Sequence, residues 1–172
     1  MKERLKLTLK AWPLITLVTV GLCFLTGAVA ESAFGIKLES QQSVEFIRAL
    51  VRRLCANAGW HKVFFKDLAT LVLLAAQVVL ILPTLEEVLF RWILWRLPRP
   101  AIPIVPAITS SALFSAAHYI QMPWPNDAFV ALFFFGMAQC WLYARTGALW
   151  CPILNHALFN ATNLVLIFVL PS

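Results

Sequence analysis

Apolar positions in this chain come in long blocks rather than in strict alternation. They recur at residues 12–30, 63–82 with a continuation through 84–97, 102–122, 128–144 and 148–170. Each block is near the ~20 residues that a helix needs to cross a ~30 Å hydrocarbon layer. Blocks of that length predict helices, because a helix satisfies its own backbone polar groups where water is absent. The pattern therefore predicts an all-α fold, a polytopic transmembrane bundle of about five spanning helices, with residues 1–172 forming one membrane-embedded domain.

The stretch between the first two blocks differs. In "SVEFIRALVRRLCAN", Val44, Ile47, Val51 and Leu54 share one helical face while Glu45, Arg48 and Arg52 lie off it. That pattern predicts an amphipathic helix over residues 43–56 lying in the membrane interface. Proline-rich breaks at 98–106 and 121–127, and the turn "ARTGA" at 144–148, separate the last three helices. The N-terminus pairs a basic start with an apolar run ending in "AVA", as a signal peptide does. The run of about nineteen residues is nevertheless long enough to span, and it is expected to be a retained first helix.

Composition agrees with the pattern. The chain is 61% hydrophobic and 13% charged, whereas soluble domains average about 45–50% and about 25%. The expected surroundings are a lipid bilayer. A net charge of +6 does not imply nucleic acid, because the basic residues punctuate apolar runs instead of forming one patch. Cys23, Cys55, Cys140 and Cys151 show no C-x-x-C spacing, so neither a zinc knuckle nor a disulfide framework is expected.

Against this background the charges in "PTLEEVLFRW" (83–92) need a reason. An ionisable group at a helix centre costs roughly 2.5–3.5 kcal/mol. Glu86, Glu87, Arg91, His118 and His156 are therefore expected to face one another or an aqueous cavity. Glu87 and Arg91 are spaced i,i+4 with the acid first, which suits a direct pair. Glu86 lies about 100° around the helix and is not used up by that pair. Phe114 and His118 are i,i+4 on a second helix, with Ser111 on the same face; His156 and Asn160 are i,i+4 on a third. At 1.5 Å per residue, Glu86 lies about 16 Å from Leu97, His118 about 21 Å from Ile104 and His156 about 12 Å from Ala148. All three depths fall near the bilayer centre. Taken singly, each feature has a structural explanation, a neutralised Glu87–Arg91 strut or a packed histidine. Three helices placing polarity at compatible depth point instead to a shared site.

"EEVLFR" (86–91), "FSAAH" (114–118) and "HALFN" (156–160) resemble the ordered motifs EExxxR, FxxxH and HxxxN of the CPBP family. This family comprises the CAAX proteases and bacteriocin-processing enzymes, also called Abi. The resemblance covers residues 80 to 165, and Trp92 stands where the family commonly has glycine. It implies a glutamic-type intramembrane endopeptidase acting on a membrane-associated peptide or protein tail. It further implies that Glu86 and His118 hold and activate the attacking water, that His156 and Asn160 form the oxyanion site, and that Glu87 and Arg91 support the first motif, with Phe114 beside His118. No cofactor is expected, and the setting expected is a prokaryotic cytoplasmic membrane.

The chemistry suits these residue types. Amide hydrolysis needs a nucleophilic water, a base and donors for the tetrahedral oxyanion. Carboxylates in low dielectric are more basic than in water. Four alternatives stay open on the residues alone. Glu86, His118 and His156 are also a two-histidine, one-glutamate zinc set. Ser110, Ser111 or Ser115 could serve as a nucleophile beside His118. A peptide-binding or immunity protein would use the same cavity without hydrolysis, and a transporter would use a Glu/His proton relay.

Overall fold

The computed structural model describes residues 1–35, 49, 61–94, 104–120 and 128–169. The described residues are helical apart from short caps and turns. Helix α1 runs Lys2–Phe34. Helix α2 begins as His61–Ala76, widens into a π-helical turn at Gln77–Ile81, returns to α geometry at Leu82–Glu87 and widens again at Val88–Ile93. Helices α3, α4 and α5 run Ile104–Ile120, Ala128–Thr146 and Trp150–Val169. The expected interfacial helix at 43–56, apart from Ala49, and the break at 121–127 lie outside the described residues; of the break at 98–106, residues 104–106 are already the first turn of α3.

Three of these helices are long and apolar enough to cross a membrane: Lys2–Ala33, Leu68–Ile93 and Ala128–Thr146; the apolar run Ile104–His118 is shorter. The outer faces match a lipid solvent. Leu17 and Phe24 on α1 are 71% and 74% exposed, and Leu73 on α2 is 70% exposed, exposures an aqueous surface does not favour. This is an all-α helical membrane bundle. With 33 residues, α1 is about 50 Å long, so the helix extends through the basic N-terminal stretch that hydropathy alone placed before the first span. Three of its threonine hydroxyls are satisfied within the helix: Thr8, Thr19 and Thr26 each donate to the carbonyl four residues earlier at 2.7–2.9 Å.

The interior is built from α3, α4 and α5, with α1 packed on α4 and α5. Ala11 and Ile15 of α1 join Phe90, Phe114, Ala128, Leu132, Phe135 and Phe159 in one buried cluster. The helices α3 and α4 cross at close range. A Cβ on Gly136 would stand 3.0 Å from both Cβ and Oγ of Ser111, tighter than ordinary van der Waals contact, so one helix would have to give by a few tenths of an ångström. Glycine at 136 is what lets the two backbones approach. Between α4 and α5 the turn closes at Gly147, with φ of 60° and its N–H donating to Tyr143 O at 2.8 Å; the left-handed conformation suits glycine.

Candidate active site

The two π-helical turns of α2 bracket Glu86 and Glu87, and the second carries the rest of the first motif, Arg91 included. Each π turn holds one more residue than an α turn and so rotates the next part of the helix about its axis. Leu82 donates to Gln77 O in the first, and Leu94 donates to Leu89 O at 3.0 Å in the second. Glu86 and Glu87 sit on the short regular segment between them.

Glu87 is fully buried, as is Arg91. Its Oε2 lies 3.1 Å from Arg91 Nε, a contact between charges outside hydrogen-bond geometry. Its Oε1 accepts from His156 Nδ1 at 2.8 Å. The Arg91 guanidinium also donates through Nη2 to Gly136 O at 3.3 Å and lies 4.7 Å from the centre of the Phe114 ring. Arginine suits this position because its planar group donates sideways while its face stacks on an aromatic ring. The expected Glu87–Arg91 pair is present, and Glu87 has a second partner on α5.

Glu86 points the other way. Its Oε1 is 3.6 Å from His118 Nε2 and its Oε2 is 3.5 Å from His156 Nε2. One carboxylate therefore lies between two imidazoles from two other helices. The Glu86 and His118 side chains keep 24% and 26% of their surface accessible, whereas His156 keeps 4%. The cluster is recessed yet reachable.

Both ring tautomers follow from the partners. His118 Nδ1 lies 2.9 Å from Phe114 O; a carbonyl only accepts, so Nδ1 carries the proton and Nε2 of the neutral ring offers a lone pair toward Glu86. This explains the spacing in the second motif, since residue 114 supplies both the carbonyl and the ring beneath His118, at 4.5 Å between centroids. His156 Nδ1 likewise donates to a carboxylate. Phe135, 4.9 Å from the His156 ring, and Phe114, fully buried, form an apolar floor under the cluster.

Asn160 has a partner the sequence did not suggest. Its Nδ2 donates to Val78 O at 2.9 Å. The three serines bond away from the imidazoles: Ser110 donates to Phe90 O at 2.7 Å, Ser115 to Phe129 O at 2.5 Å, and Ser111 packs on Cys140 Sγ at 3.9 Å. They tie α3 to its neighbours. Gln139 and Asn155, which motif spacing did not single out, are both fully buried and joined by a 2.9 Å bond from Gln139 Nε2 to Asn155 Oδ1. The signal was available: an amide inside each of two apolar spans, with Asn155 directly before His156. Among the described residues, no group of three or more His, Cys, Asp or Glu side chains has the arrangement of a metal site.

The fold is that of an integral membrane protein with a recessed polar cluster inside its bundle. Residues 68–162 match the family model described as type II CAAX prenyl endopeptidase Rce1-like, more than half of the chain, and the chain belongs to that family. The match spans all three motifs. No curated protein and no solved structure gives a significant match. Membership makes the protein an endopeptidase with a peptide or protein substrate in the membrane.

Proposed function

We propose that the protein is a glutamic-type intramembrane endopeptidase that cuts a membrane-associated peptide or protein tail, with Glu86 as its general base. The observation that carries this assignment is the pair of 3.6 and 3.5 Å separations between Glu86 and the two imidazoles. Both exceed a strong hydrogen bond, and a water seated beside the carboxylate and an imidazole, not between them, reaches both at hydrogen-bond distance. A water there donates one proton to His118 Nε2 and the other to Glu86.

In the attack, the water oxygen forms a bond to the scissile carbonyl carbon as its proton passes to Glu86. The carbonyl electron pair moves onto oxygen. Collapse of the intermediate breaks the C–N bond, and Glu86 returns the proton to the departing amine. His156 serves the oxyanion through Nε2–H when its ring is protonated. Asn160 has two amide protons. One is held by Val78 O, and the second remains for the oxyanion.

Comparison of protein termini in membranes carrying the wild type or Glu86→Gln tests the assignment. New termini in the wild-type membranes alone are expected. Identical termini in both would identify a binding or immunity role instead. Metal analysis decides between this mechanism and its zinc rival. Purified active protein is expected to hold substoichiometric zinc and to keep its rate in chelator; stoichiometric zinc whose loss and return track activity would establish the metallo-type.

A further inference from the structure

Asn160 reaches a backbone carbonyl that an ordinary helix would already have filled, and the sequence explains why it is open. In the first π turn, Leu82 N–H bonds to Gln77 O, which sets i→i+5 register. The next bond in that register would run from residue 83 to Val78 O. Residue 83 is proline, buried and at the start of the Leu82–Glu87 segment, and proline has no N–H. A carbonyl unpaired inside a bilayer is costly, so membrane proteins satisfy such groups from side chains or neighbouring helices. Here Asn160 Nδ2, from α5, does so at 2.9 Å. Close by, Thr84 Oγ1 donates to Leu80 O at 2.6 Å.

We infer that Pro83 is a positioning residue: by withholding an N–H it keeps Val78 O open as a docking point for Asn160, and this latch fixes α5 against the segment that carries Glu86 and Glu87. The His156–Glu87 bond, one turn before Asn160 on α5, is the second attachment between the same two helices. Together they set both the rotation of α5 and the direction of the second amide proton of Asn160. With an alanine in place of Pro83, a backbone N–H competes for Val78 O and the amide loses its fixed partner.

The test is a double-mutant cycle on thermal stability, which needs no assumption about activity. Asn160→Ala should lower the melting temperature of the otherwise wild-type protein by roughly 3–6 °C, the scale of one lost buried hydrogen bond. In the Pro83→Ala background the same change should cost much less, because the N–H restored by that substitution takes over. Packing lost with the proline ring appears in both arms and cancels. Equal costs in the two backgrounds would overturn the latch. Should Pro83→Ala fail to accumulate, Asn160→Asp supplies the test: an acceptor facing Val78 O must destabilise at least as much as alanine, and wild-type stability there would refute the contact.

The activity arm rests on the protease assignment. Pro83→Ala should lower kcat about tenfold with KM unchanged, less than the roughly 10²–10³-fold lost with a whole oxyanion donor, because the Asn160 amide stays and loses only its fixed direction. An unchanged kcat would remove the positioning role. A wild-type protein that cleaves nothing would instead defeat the protease assignment, while the stability cycle would still report on the latch.

Discussion

Arg91 carries a full charge in a place with no exposed surface, and its neighbours show how. Glu87 opposes its charge, Gly136 O takes one N–H, and the Phe114 ring faces the guanidinium. Removing one member of a buried pair leaves an uncompensated charge, a loss of about 3–5 kcal/mol. Arg91→Leu should therefore melt well below the wild type and lose activity, while Glu87→Gln with Arg91→Leu should recover part of the stability. A double variant no more stable than Arg91→Leu alone would mean that the pair contributes packing and not charge balance. The spacing of Glu87 and Arg91 made their pairing legible in the sequence. Which glutamate each ring nitrogen of His156 faces was not: i,i+4 spacing linked His156 to Asn160, yet His156 Nδ1 turns to Glu87 and its Nε2 to Glu86. Those contacts depend on how α5 is rotated against α2, and one helix's periodicity does not contain that angle.

At the scale of elements, the contacts that aim the motifs lie outside them. Gly136 on α4 admits Ser111 of α3 within contact distance and also offers its carbonyl to Arg91. Gly136→Ala should force the two helices apart and lengthen the Arg91 contact, costing about 1–3 kcal/mol as overpacking does. Ser111→Gly removes the Cβ and Oγ but leaves the residue 111 Cα 3.1 Å away, so it should restore part of that loss in the thermal melt; no rescue would place the cost on the backbone contact. Hydropathy places these two helices within a few residues: the block 102–122 corresponds to Ile104–Ile120, and 128–144 to Ala128–Thr146. It does not reveal the π turns of α2, because an extra residue in a turn leaves an apolar run apolar. For the same reason the open Val78 carbonyl is invisible in the sequence, although Pro83 is in plain view. The first apolar block begins at residue 12 whereas its helix begins at Lys2, since Lys2, Arg4 and Lys6 are polar without breaking a helix.

For the whole molecule, the bundle turns large apolar side chains outward and brings the costly polar ones together. Glu86 is the point where three helices meet: its own, α3 through His118 and α5 through His156. Depth along the helices predicted that meeting, because the three side chains were counted to similar levels in the bilayer. A carboxylate held beside two imidazoles in a reachable recess is suited to taking a proton from water, and family membership makes the protein an endopeptidase. The most direct test is to reconstitute the purified protein in lipid with a membrane peptide that the wild type cleaves, and to measure kcat and thermal stability for Glu86→Gln in parallel. Loss of a general base predicts a fall in kcat of at least about 10²–10⁴-fold with melting unchanged to within a few degrees. Cleavage at the wild-type rate by a properly folded Glu86→Gln protein would contradict the account.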